Sequence, residues 1–70
     1  MKEYIFNNVY TLRAAKGLTQ EDLASRVGVS RQTIISIEKG KYTPSVLLAL
    51  KIAKVFKAGV DEVFKIRYEK

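Results

Sequence analysis

Apolar residues along this chain recur every three or four positions between short polar interruptions, which is the spacing of a helix with one buried face. Val9 and Leu12 mark the inner side of a first helix, expected from about Asn8 to Lys16, with Gly17 as its stop. In Leu18-Thr19-Gln20-Glu21-Asp22-Leu23, Thr19 is a good N-cap and Asp22 stands at the capping-box position, although Glu or Gln is usual there. Leu18 and Leu23 are spaced as a hydrophobic staple. A second helix runs from there to about Val27 and stops at Gly28. The same grammar repeats at once. Ser30 caps a third helix over about Arg31–Lys39, Val29 and Ile34 form its staple, and Gly40 ends it. Thr43-Pro44 supplies a cap followed by Pro at the first helical position, so a fourth helix is expected from Pro44 to about Phe56. A weaker fifth helix covers Val60–Phe64. The tail from Lys65 to Lys70 alternates polar and apolar residues, which suits a short edge strand as well as a frayed end.

The expected fold class is therefore all-α: a single domain over residues 1–70, a bundle of about five short helices with its core in residues 8–64, and room for short strand segments at the termini. Only Gly28-Val29-Ser30 joins the second and third helices, and Ala24 is small enough for a close crossing. A tight Gly-containing turn between two short helices is the sequence form of a helix-turn-helix, here over about residues 19–39. An ordinary helical hairpin fits the same features.

Composition narrows the chemistry. There is no Cys and no His, which removes disulfides, thiolate zinc sites and the commonest catalytic base. No nucleophile–base pair, metal cluster or phosphate-cradling glycine loop is present, so neither an enzyme nor a cofactor is expected. Thirteen Lys and Arg against seven Asp and Glu leave a net charge of +6. Such an excess favours nucleic acid, an anionic surface or an acidic protein as partner. Glu21, Asp22, Asp61 and Glu62 cluster at expected helix starts, where the helix dipole favours anions. The start MKEYIFNNV is no signal peptide, and the longest apolar stretch, Val46–Leu50, is too short to span a bilayer. A cytoplasmic, nucleoid-associated protein without membrane contact is the expectation.

The order GLTQEDLA, VGVSRQTI, IEKGKYTPS, then LALKIAKVF and DEVF, resembles the Cro/CI-type (XRE-like) helix-turn-helix regulators of phages and prokaryotes, over about Asn8 to Phe64. The resemblance implies a lambda-repressor-like fold whose third helix enters the major groove of double-stranded DNA. It also implies a homodimer on a palindromic operator and a role in transcription regulation, most simply as a repressor. One departure stands out. The family usually has Gly after the fourth helix and then a Ser or Thr cap, whereas this chain has Lys57-Ala58-Gly59, which leaves Gly59 as an alternative stop for a longer fourth helix.

On a helical wheel of the third helix, Ile34 and Ile37 fall together with Thr33 beside them. Arg31, Gln32, Ile35, Ser36 and Lys39 lie on the opposite arc. Arg pairs in bidentate fashion with guanine and Gln with adenine. By resemblance the base-contacting positions are Arg31, Gln32 and Ser36, and Gln20 meets a phosphate at the start of the second helix. Ser30, Thr33, Lys39 and Lys41 complete the DNA-binding set. Ile35 either packs on a thymine methyl group or is simply an exposed residue resting on the stem of Arg31. The resemblance also makes Arg13 and Glu38 a structural ion pair rather than DNA contacts.

The fourth helix is apolar nearly all round. Val46, Ala49, Leu50, Ala53 and Phe56 form the expected inward stripe, and Lys51 and Lys54 the clearly wet strip. Leu47, Leu48, Ile52 and Val55 remain to be covered by the fifth helix, the tails or a second subunit. The expected dimer interface accordingly holds Leu48, Ile52 and Val55, with Ile66 and Tyr68 of the tail or the Tyr4-Ile5-Phe6 arm pairing as strands. Competing roles are a DNA-binding antitoxin, a restriction–modification controller, and a protein-interaction module of the same fold.

Overall fold

The computed structural model describes residues 2–70. Its elements run in the order β1 (Lys2–Asn7), α1 (Val9–Ala15), α2 (Gln20–Val27), α3 (Arg31–Glu38), α4 (Val46–Phe56), α5 (Val60–Val63) and β2 (Phe64–Glu69). The five helices bury one cluster formed by Val9, Leu23, Ala24, Val27, Ile34, Ile37, Leu48, Ile52, Ala53, Phe56 and Val63. Leu18 and Val29, the outer halves of the two staples, pack against its margin.

The first and last strands pair with each other. β1 and β2 form an antiparallel ribbon in which Ile5 faces Ile66 and Asn7 faces Phe64. The arm and the tail are thus strands that pair with each other within one chain. Asn7 and Asn8 make the joint between ribbon and helices. Asn7 Nδ2 donates to the Ile37 carbonyl at 2.9 Å, and Asn7 Oδ1 accepts from the Val9 N–H at 3.1 Å. The Asn8 backbone N–H donates to the Val63 carbonyl at 2.8 Å, and Asn8 Nδ2 donates to the Glu62 carbonyl at 2.9 Å.

Two expectations for α4 are corrected. Its cap is Ser45, whose Oγ accepts from the Leu48 N–H at 3.1 Å, so Thr43 and Pro44 lie outside the helix. Its inward stripe is also turned. Leu48, Ile52, Ala53 and Phe56 are buried, whereas Val46, Leu47 and Leu50 are 76%, 64% and 50% exposed. The helix is apolar on both arcs, so hydrophobicity alone cannot set its phase; packing against α2 and α5 does. Leu48 and Ile52 are therefore core residues and are unavailable to a second subunit.

The departure at residues 57–59 is resolved by backbone geometry. Lys57 adopts the left-handed conformation (φ 54°), the Ala58 N–H donates to the Ala53 carbonyl, and the Lys57 N–H donates to the Lys54 carbonyl, each at 3.1 Å. This is a Schellman stop with Lys where Gly is usual. Gly59 does not end α4. It opens α5, its N–H donating to Glu62 Oε1 at 2.7 Å. Among the described residues no helix is long and apolar enough to cross a membrane.

Candidate nucleic-acid interface

The angle between α2 and α3 is set at the caps and the turn. Thr19 and Asp22 form a reciprocal box: Thr19 Oγ1 accepts from the Asp22 N–H and Asp22 Oδ2 accepts from the Thr19 N–H, both at 3.0 Å. The bond from the Thr19 N–H, aided by the nearby Thr19 side chain, holds the Asp22 carboxyl below its ordinary pKa. Gly28 turns the chain at φ 75°, a region that a Cβ disfavours, and the Val29 N–H closes back on the Ala24 carbonyl at 3.0 Å. Ser30 Oγ then caps α3 by accepting from the Thr33 N–H at 3.3 Å, and it lies 3.1 Å from Thr33 Oγ1.

Ile34 and Ile37, 0% and 1% exposed, anchor α3 to the core and thereby turn its other arc outward. Arg31 and Gln32 are exposed there, and Thr33, Ile35 and Ser36 are half-buried. After α3 the backbone reverses at Gly40 (φ 74°), and the Lys41 N–H donates to the Ser36 carbonyl at 2.9 Å. This bond holds Lys39 and Lys41, both exposed, beside the same arc. A cleft of about 240 Å³ runs along it, lined by Ser30, Gln32, Thr33, Ser36, Lys41 and Tyr42. Tyr42 is absent from the sequence-derived set. Its only signal is an aromatic residue directly after Lys41 in a polar loop, and what brings it to the cleft is the turn at Gly40.

Arg13 and Glu38 sit behind this surface. Arg13 Nε meets Glu38 Oε2 at 2.8 Å and Nη2 meets Oε1 at 3.2 Å, while Nη1 donates to the Leu18 carbonyl at 2.9 Å. Both side chains are largely out of water, 12% and 8% exposed. The hydrogen bonds that Arg13 donates to Glu38 raise the Arg13 pKa further, keeping the guanidinium charged. Gln20 joins this network, its Nε2 donating to Glu38 Oε1 at 3.1 Å. The residue expected at a phosphate thus has one amide hydrogen engaged by the scaffold. Gln20 and Arg31 nevertheless line one open cleft at the start of α2. Ile66 and Tyr68 are exposed on the ribbon and Val55 is half-buried on α4, whereas Leu48 and Ile52 are buried in the core.

A sequence profile of the helix-turn-helix domain (HTH_3) matches residues 9–63, most of the chain. The protein belongs to the helix-turn-helix family. Among its relatives, an HTH-type transcriptional regulator of Methanocaldococcus jannaschii is 59% identical over 58 residues, covering 83% of this chain and 88% of the relative. The HTH-type transcriptional regulator YgzD of Bacillus subtilis is 52% identical over 63 residues, 90% of this chain and 96% of its own length. Of the solved structures, the restriction–modification controller protein C.AhdI from Aeromonas hydrophila superposes with a TM-score of 0.74. It is 34% identical, and the match covers 79% of this chain and 83% of that one.

Proposed function

We propose that this helix-turn-helix protein is a sequence-specific, double-stranded-DNA-binding transcriptional regulator that lays α3 in the major groove. The observation that carries the reading is the outward arc of α3. Two fully buried isoleucines fix its orientation, and the side chains left outside, Arg31, Gln32 and Ser36, are hydrogen-bonding groups of the kind that read base edges. Lys39, Lys41, Ser30 and Thr33 flank them and suit phosphate contacts, which position the protein without reading sequence. Gln20 reaches a phosphate with its second amide hydrogen, and the half-buried Ile35 offers an apolar contact to a thymine methyl. The names of the relatives, transcriptional regulators in both cases, support the same role.

The simplest mode of action is repression: a homodimer covers a promoter through two half-sites about 34 Å apart on a palindromic operator. The exposed Val46, Leu47 and Leu50 on α4, with Ile66 and Tyr68 on the ribbon, supply apolar surface for the second copy. The protein then acts in the cytoplasm, on the nucleoid. A second reading, a restriction–modification controller, is favoured by the likeness to C.AhdI.

Selection of bound sites from random duplex DNA at physiological salt tests the proposal. A palindromic enriched site supports the dimeric regulator, and such a site upstream of a methyltransferase or nuclease gene supports the controller. Recovery of no sequence above the non-specific background overturns both and leaves a protein-interaction module.

A further inference from the structure

The terminal ribbon has two chemically distinct faces. In an antiparallel pair, directly opposed residues share a face, and residues two apart along a strand return to it. Lys2 faces Glu69, Tyr4 faces Arg67 and Phe6 faces Lys65, so these six side chains lie on one side. The other side carries Ile5, Ile66 and Tyr68 beside Glu3 and Asn7, and runs into the core at Phe64. Arg67 confirms the assignment, because its guanidinium carbon stacks 3.8 Å above the centre of the Phe6 ring, a diagonal contact possible only on a shared face.

The first side is cationic and aromatic. Lys2, Lys65 and Arg67 stand against the single acid Glu69, and among the described residues none of the three cations is within ion-pair distance of a carboxylate. A guanidinium stacked on an aromatic face keeps its edge donors free for an anion. The position of this face matters as much as its charge. Tyr4 and Phe6 line an open groove of about 500 Å³ whose far wall is Lys39, Gly40 and Tyr42, the loop that follows α3. The bond from Asn7 Nδ2 to the Ile37 carbonyl fixes the root of β1 to the last turn of α3. The ribbon is thus held in register with the helix that carries Arg31 and Gln32.

We infer that the Lys2/Lys65/Arg67 face of the ribbon is a second DNA-contacting surface. It grips the phosphate backbone beyond the stretch read by α3 and extends the footprint without reading bases. This rests on the proposed DNA-binding role. The occupant is the duplex backbone because the face offers three cations unpaired by any carboxylate, rooted beside the helix whose outer arc is proposed to fill the groove. The opposite face of the ribbon, where Ile5, Ile66 and Tyr68 lie beside Glu3, is left free for a second copy.

The test is the salt dependence of binding to a fluorescent duplex of random sequence, measured by anisotropy for the full chain. Each lost phosphate contact lowers the log–log slope by ~0.9, so Lys65→Gln/Arg67→Gln is expected to lower it by ~1.8. Lys65→Gln/Arg67→Lys, which restores one charge without the planar stack, is expected to recover about half of that loss. Lys51→Gln/Lys54→Gln on α4 removes the same charge far from the ribbon and is expected to leave the slope unchanged. A wild-type slope in the ribbon variant, or an equal drop in the α4 variant, overturns the inference. Absence of any salt-dependent duplex binding by the unaltered protein instead overturns the DNA-binding role itself.

Discussion

Arg13 on α1 and Glu38 at the end of α3 form a two-pronged ion pair, Nε to Oε2 at 2.8 Å and Nη2 to Oε1 at 3.2 Å, with little of either side chain in water. Removing one partner strands the other. Glu38→Ala leaves the Arg13 guanidinium without its carboxylate and releases Gln20, and for this partly buried pair it is expected to cost ~2–3 kcal/mol, at or below the low end for a fully buried one. Thermal unfolding followed by circular dichroism should show a drop on the order of 10 °C or more. The double replacement Arg13→Met/Glu38→Leu should cost less than Glu38→Ala alone, because no charge is left unpaired.

The Thr19–Asp22 box predicts a pH signature. The folded-state pKa of Asp22 lies below its ordinary 3.8, so its contribution is fully present above that value and is lost as pH falls through the lowered one. The melting-temperature difference between the wild type and Asp22→Asn should therefore be constant near neutrality and shrink below about pH 4. A difference that stays constant down to acid pH would contradict the assignment.

Lys57 occupies a left-handed position that costs a residue with a Cβ ~1 kcal/mol or more. Lys57→Gly relieves that strain and is expected to raise stability by ~0.5–1 kcal/mol, after the greater freedom of Gly in the unfolded chain is allowed for. Urea titration reads this directly as a higher midpoint with an unchanged slope.

The turned phase of α4 separates core from surface. Ile52→Ala is expected to cost ~2–5 kcal/mol, because Ile52 is fully buried. Leu47→Ala, at a side chain 64% exposed, should change monomer stability by no more than ~0.5 kcal/mol. Leu47→Glu/Leu50→Glu should leave the fold intact and weaken self-association in sedimentation. A concentration-independent monomer in the wild type would remove the dimer from the proposed mechanism.

Gln32 and Lys39 are expected to fail differently. Gln32→Ala should lose ~1–3 kcal/mol on the selected operator and relax discrimination at one position. Lys39→Gln should weaken binding about equally on all sequences and lower the salt slope by ~0.9. Uracil in place of thymine at single operator positions tests Ile35; a thymine contact shows as a loss of affinity at one of them.

What could be read from the sequence follows the range of the interactions. Thr19, Ser30, Gly28 and Gly40 act through neighbours within five residues, so local chemistry foretold their turns. The core face of α3 was legible because Ile34 and Ile37 stand against polar neighbours, whereas α4 presents apolar residues on both arcs and its phase was not. The pairing of β1 with β2 joins opposite ends of the chain, and alternation alone names no partner. The bond from Gln20 to Glu38 and the approach of Tyr42 to α3 likewise depend on tertiary geometry that no spacing encodes.

The pairing of Lys2 with Glu69 has a consequence for the topology of the chain. Opposed residues of an antiparallel pair are about 5 Å apart, so a two-residue Asn-Gly turn suffices to join Glu69 to Lys2 in a hairpin. The order of elements can then be cut elsewhere, for instance in the loop before Ser45, and the same packing rebuilt from a circularly permuted chain. Proteins with adjoining ends tolerate such rewiring well. The ribbon thus makes residues 2–69 nearly a closed ring, in which Lys2 and Glu69 share one spot on the surface.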